Sequence, residues 1–306
     1  MKHFLFQMAC VVALTALGCG DEPPASDVAP TEMTPDPYFE GEKYILADSH
    51  ANVVRSMRIV GESEPGIALG FDLDGRVSEA SDADTCRQPD LVDPEGRVGI
   101  DNQLAIIWPL VEPVIGEAVH ALLQGAINEG RVLIIMELTG VDDLRNDDDV
   151  TLNLYRVSAV PEVGTFGFIS PDQTYYYDYE GPLSTVEHAA IVDGEVLAGP
   201  VELQVPLRIL DLDYVATVYQ GRVRLQIRED GSFDGILGGG FDVAEWLETL
   251  YATNAAAEAM LVAPVFEGNA DMEKIDGVCT KLSVAFKFEG TTGFVVRDAA
   301  LESDSP

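Results

Sequence analysis

The side chains best placed to do chemistry lie in one segment, residues 71–103, FDLDGRVSEASDADTCRQPDLVDPEGRVGIDNQ. Asp72, Asp74, Glu79, Asp82, Asp84, Asp90, Asp93, Glu95 and Asp101 alternate there with Gly75, Gly96 and Gly99. Calcium takes about six to eight oxygen ligands, and short Asp-x-Asp-Gly turns supply them by folding carboxylates and carbonyls inward. That chemistry selects Asp72, Asp74, Asp82, Asp84 and Asp101 as candidate calcium ligands. The same residues also read as a strand from Ile67 to Leu73, a tight Asp74-Gly75 turn and a solvated acidic loop. Both readings are open from sequence. An EF-hand loop is excluded, because Gly70 and Ser81 stand where its first and twelfth ligands belong.

A second acidic group, Asp142, Asp143, Asp147, Asp148 and Asp149, reads either as a solvated hairpin loop or as a further cation site. Enzyme signatures are scarce. Neither an HExxH helix nor a G-x-S-x-G elbow occurs, and His50, His120 and His188 have no zinc-ligand spacing. The run Gly238–Gly240 is followed by Asp242 rather than Gly-Lys-Ser/Thr, so it is not a phosphate loop. The rings of Tyr175, Tyr176, Tyr177 and Tyr179 read as strand packing or as an exposed aromatic face for glycan or protein. Asp72-Leu73-Asp74-Gly75, with Asp82, Asp84 and Cys86, loosely resembles the calcium-wrapped, disulfide-pinned repeats of thrombospondin type 3.

The elements that must position these groups read as α+β, an antiparallel β-rich domain with two main helices at about 113–129 and 242–252. Pro109 and Pro113 place the start of the first helix near Pro113. Asp242, with Glu245 three residues on, caps the second, and the alanine-rich stretch 254–260 reads as a turn region continuing it. Strands are expected at 131–139, 150–158, 174–180, 184–192, 195–199, 201–210, 213–219, 222–229 and 232–238. Asp193-Gly194 and Asp230-Gly231 supply hairpin turns. Residues 281–288 and 294–296 read as a closing hairpin across Gly290-Thr-Thr-Gly293.

The first twenty residues, MKHFLFQMACVVALTALGCG, place a lysine before an apolar run too short to span a bilayer, which needs roughly 20 residues. This is the order of a secretory leader. Ala16-Leu17-Gly18-Cys19 resembles the lipobox of bacterial lipoproteins, although Ala16 replaces the usual branched aliphatic residue. The resemblance implies cleavage before Cys19 and lipidation of its sulfur. Gly20, where some bacteria use Asp for inner-membrane retention, implies the outer membrane. The expected organisation is a leader over 1–18, an acidic Pro-rich tether over 19–43, one domain over 44–300 and a tail over 301–306. Cys10 falls in the leader. That leaves Cys86 and Cys279 as an expected disulfide in an oxidising envelope.

A formal net charge of −35 repels nucleic acid and anionic headgroups, while 47% hydrophobic residues suffice for a globular core. The expectation is a lipid-anchored cell-envelope protein with a binding or structural role, its calcium stabilisation an open question. Its contact with the membrane runs through the lipid, and the protein, glycan or lipid partner is unspecified. The alternative is a carrier of a lipid or other hydrophobic ligand, held between the apolar helix 112–127 and the sheet. A hydrolase ranks third, since no catalytic residue is identified.

Overall fold

Alternating strands of this length bury one face each, and here they do so by closing into a ring. The computed structural model describes residues 43–82, 85–112, 117–157, 159–176, 181–209, 212–252 and 256–298. The leader, Cys19, the tether through residue 42, Asp84, Tyr177, Tyr179 and the tail lie outside the described residues. In chain order the elements are β1 (Lys43–Tyr44), β2 (Ser49–Ile59), β3 (Leu91–Val92), β4 (Val98–Ile100), α1 (Gln103–Val111), α2 (Glu117–Asn128), β5 (Ile134–Thr139) and β6 (Asn146–Arg156). They continue as β7 (Gln173–Tyr176), β8 (Ser184–Val192), β9 (Glu195–Ile209), β10 (Leu212–Ile227), β11 (Phe233–Asp242), α3 (Val243–Tyr251), α4 (Ala256–Asn269), β12 (Met272–Ile275) and β13 (Val278–Asp298).

Antiparallel pairing runs β2-β5-β6-β8-β9-β10-β11-β13, and β13 pairs back onto β2, with Ala51 opposite Gly293 and Phe286 opposite Ile59. The result is a closed up-and-down barrel of eight strands, in which β8 and β9 pair only over Ala190–Val192 and Glu195–Leu197. Register fixes which side chains point inward, because directly paired residues share a face. Met136 faces Leu154, Leu138 faces Leu152, Leu225 faces Val196 and Leu237 faces Val223. These residues are at most 2% exposed, with Phe233 and Phe288 among them in one cluster. Outward positions carry Glu195, Arg222, Arg224 and Gln226.

The helices gather where β2 and β11 finish and β13 begins. α2 touches both β2 and β9, which lie opposite each other in the ring, and its Leu123, Ala126 and Ile127 join the barrel core. α1, α3 and α4 pack on β13, with Leu104, Ile107, Trp108, Val243, Leu247, Val262 and Phe266 against Leu282 and Val284.

The α+β reading holds in its coarse form, with four helices described in place of two main ones. The helix expected from Pro113 is preceded by α1, which starts ten residues earlier than the proline signal allowed. The Asn102 side chain accepts from Ala105 N–H at 3.3 Å, and burial of Leu104, Ala105, Ile107 and Trp108 outweighs the bond that Pro109 cannot make. Of the turn region expected at 254–260, residues 256–260 belong to α4, and 254–255 lie outside the described residues. The strand expected at 67–73 reduces to isolated bridges, Ile67 to Val92 and Phe71 to Asp101, because the segment lies on the barrel wall rather than in it. The closing hairpin is one 21-residue strand. A Cβ at Gly290 would press on Asn52 at 3.0 Å and one at Gly293 on the Tyr175 ring at 3.2 Å, so these glycines admit neighbours and make no turn. The split strands 195–199/201–210 and 213–219/222–229 are continuous β9 and β10, interrupted only by bulges near Val218–Arg222.

Candidate functional site

The run of glycines in β11 explains how the acidic segment reaches the wall. A Cβ at Gly238 would stand 2.9 Å from the Phe71 ring, and one at Gly240 2.9 Å from Met272 Sδ. Phe71 and Leu73 pack with Ile236 and Met272, and the Arg224 guanidinium lies over the Phe71 ring at 5.5 Å. The chain on either side of Phe71 is thereby pinned, and the aspartates that follow project from a fixed base.

Three of the five expected ligands come together: carboxylate oxygens of Asp72, Asp74 and Asp101 lie within 4.8 Å of one another. Oxygens on opposite sides of calcium are about 4.6–5.2 Å apart, so this spacing suits an ion of that size. Short turns set the geometry. Asp72 Oδ1 accepts from Gly75 N–H at 2.7 Å, Asp74 Oδ1 from Arg76 N–H at 2.9 Å, and Asp101 Oδ2 from Leu73 N–H at 2.6 Å. Asp82 is not part of the group; its carboxylate accepts from Glu79 N–H at 2.8 Å. Asp84 lies outside the described residues.

The electrostatics of the corner are unusual. Asp101 is 7% exposed, and burial pushes its carboxyl up to about 8, helped by the charges of Asp90, Asp271 and Asp74. Burial also raises Asp271, to about 7, against the opposing hydrogen bonds from Ser283, with Asp90 adding to the rise. Asp90 is raised by burial and by Asp74 and Asp72, although Ser78 N–H donates to it at 2.6 Å. Nearby Asp93 shows what a partner changes: burial opposes its charge, but Arg97 Nε at 2.6 Å and the N–H groups of Glu95 and Arg97 hold it below the usual range. Arg76 lies 3.4 Å from Asp74 and leaves Asp101 without a direct cationic partner among the described residues. Carboxylates gathered this closely disfavour full ionisation of the group. Asp271 escaped sequence reasoning altogether, since a single aspartate after an apolar helix carries no pattern.

Cys86 and Cys279 form a disulfide with Cα atoms 6.0 Å apart, tying the acidic segment to β13. A hollow beside it is lined by Arg87, Gln88, Glu267 and Lys274. The second acidic group folds on itself: Asp147 accepts from the N–H groups of Asp142, Asp143 and Asp149, which hold its carboxyl below the usual range. His188 meets Asp149 at 2.9 Å in the open, and that hydrogen bond raises its pKa. His50 lies 2.6 Å from the Gly231 carbonyl, while burial and Arg58 lower His120. Tyr175 is 2% exposed and Tyr176 44%, the alternation expected of a strand. Burial raises the Tyr175 hydroxyl to about 12. Compared with family models, curated proteins and solved structures, the chain matches none.

Proposed function

We propose that the chain is a lipid-anchored cell-envelope protein with a binding or structural role, and that calcium occupies the Asp72–Asp74–Asp101 corner. One observation carries the cation reading: three carboxylates converge on a pinned segment, and Asp101, the most buried of them, has no direct cationic partner among the described residues. Calcium there replaces the proton that Asp101 otherwise holds and fixes the segment against β11. The binding or structural role is favoured over a carrier because side chains occupy the space a ligand would need. Met136, Leu152, Leu203, Leu225, Phe233 and Phe288 fill the barrel, and Leu123 and Ile127 fill the seam under α2. The anchor rests on Ala16-Leu17-Gly18-Cys19, and the outer membrane on Gly20. Charge disfavours nucleic acid, and a hydrolase has no support in the residues described.

Thermal unfolding with calcium and then with excess chelator tests the cation. A ligand at a hundredfold excess over its Kd stabilises by about 2.7 kcal/mol, a shift of several degrees. No shift would return the corner to a solvated surface. Cys19→Ser tests the anchor: the variant should lose the mass of the lipid and leave the membrane fraction. Retention of both would end that reading.

A further inference from the structure

Strand β10 turns Val223 and Leu225 into the barrel and Arg222 and Arg224 outward. Cations are scarce in this chain, 18 lysines and arginines against 53 aspartates and glutamates, so each has many carboxylates to choose from. Neighbouring arginines take one: Arg228 donates to Asp234 at 2.7 Å, Arg55 to Glu289 at 3.2 Å, and Arg97 holds Asp93 and Glu95. Arg222 and Arg224 pair with no carboxylate among the described residues. Register explains why. Arg224 stands opposite Leu197 on β9 and Ile236 on β11, and Arg222 opposite Gly238, so the cross-strand positions offer no anion.

Both arginines are half-buried. Arg222 Nε is fully buried and has no hydrogen-bond partner among the described residues. The Arg224 guanidinium lies over the Phe71 ring at 5.5 Å, a base that is itself 6% exposed. Burial lowers the pKa of Arg224 and the charge of Arg97 lowers it further, against the pull of Glu195, Asp93 and Glu95. An arginine is seldom withdrawn from water unless paired, because a desolvated charge without a partner is costly. We propose that Arg222 and Arg224 form an anion site for a small phosphate-bearing ligand. Alternate residues of a strand lie about 6.8 Å apart, close enough for two guanidinium forks to meet on one bound group. One fork satisfies both oxygens of a carboxylate, whereas phosphate offers oxygens for two. The net charge of −35 does not forbid an anion here, since exposed charges beyond a Debye length of about 8 Å are screened at physiological salt. It does weigh against an anionic bilayer as the source of the phosphate. Calcium plays no part in this site.

The test titrates inorganic phosphate into the full chain, stripped of divalent cations and held in nonionic detergent, by calorimetry at about 150 mM salt. Saturable one-to-one binding is expected, with acetate at least tenfold weaker. Arg222→Lys/Arg224→Lys keeps the charge but loses both forks, and should weaken phosphate at least tenfold. Arg222→Met separates binding from folding. Its side chain replaces the apolar stem, so without phosphate the variant should melt no lower than wild type, while losing the rise in Tm that phosphate gives. A lower Tm without phosphate would mean that the guanidinium already serves the fold, and would overturn the proposal. No saturable binding would leave Arg222 to water, and equal binding by wild type and the double lysine variant would reduce the effect to net charge; either result also overturns it. So would acetate binding as tightly as phosphate, or arginine-dependent adsorption to phosphatidic acid vesicles with no binding of free phosphate.

Discussion

Replacing Asp101 with asparagine should stabilise the protein at neutral pH when no divalent cation is present. The folded state raises this carboxyl from 3.8 to about 8. A group raised on folding contributes its full stability below the unfolded value and loses it as pH climbs through the folded one. Between pH 4 and pH 7 the unfolded chain ionises Asp101 while the folded chain keeps it protonated, a cost of about 4 kcal/mol at roughly 1.4 kcal/mol per unit. Asp101→Asn removes that cost. Its amide oxygen still accepts from Leu73 N–H, and a neutral amide escapes the repulsion of Asp90 and Asp74. The expected gain at pH 7 in chelator is several kcal/mol, on the order of 10 °C in Tm for a domain of this size. Measuring Tm of both proteins from pH 4 to pH 8 isolates Asp101 and the aspartates coupled to it, since distant titrating groups cancel in the difference. The gap should be small at pH 4 and widen upward, and calcium should raise the wild type alone. A variant less stable than wild type at pH 7 in chelator, or a gap independent of pH, refutes the reasoning.

Arg297→Met should destabilise by about 3–5 kcal/mol in urea, because Glu137, 0% exposed, loses the guanidinium that donates to both its oxygens at 3.1 and 2.6 Å. Glu137→Leu/Arg297→Met should recover most of that loss, and a double variant as weak as the single would contradict the account. Gly130→Ala should cost at least 2 kcal/mol in the same assay, since Gly130 closes α2 at φ +74° and a Cβ there collides with the Ala159 carbonyl. Cys86→Ser should lower stability by about 2–5 kcal/mol. Protease should then cut the variant first within 72–99, the stretch the bridge ties down; cleavage elsewhere first would show that the loop is held by other contacts.

Local signals were legible in this chain and distant ones were not. β8 appears at 184–192 as its alternation foretold, and the Asp193-Gly194 turn has both residues at positive φ, 51° and 82°. The Asp242 side chain accepts from Ala244 and Glu245 N–H groups, as the capping pattern implied. Pro109 misled because a local rule lost to burial against β13. Gly290–Gly293 misled in another way: the absent side chains make room for Asn52 and Tyr175, as those of Gly238 and Gly240 do for Phe71 and Met272, neighbours that sequence does not place. At the carboxylate corner, Asp72 and Asp74 share one turn and were readable together. Asp101 joined the same segment, but Asp90 and Asp271 shape its charge from positions that only the folded wall defines.

The seam of the barrel also dictates when the protein exists as a folded object. Its first long strand waits for its last, with Ala51 opposite Gly293, so no N-terminal fragment ending before β13 has a complete wall. During synthesis β2 carries an edge that nothing yet covers, and contacts this distant make for slow closure. The disulfide runs on the same clock, since Cys86 has no partner until Cys279 arrives. A chain built this way remains threadable, and exposed to mispairing, until nearly all of it has been made. A holdase that shields β2 would matter more to its yield than any factor that speeds local structure.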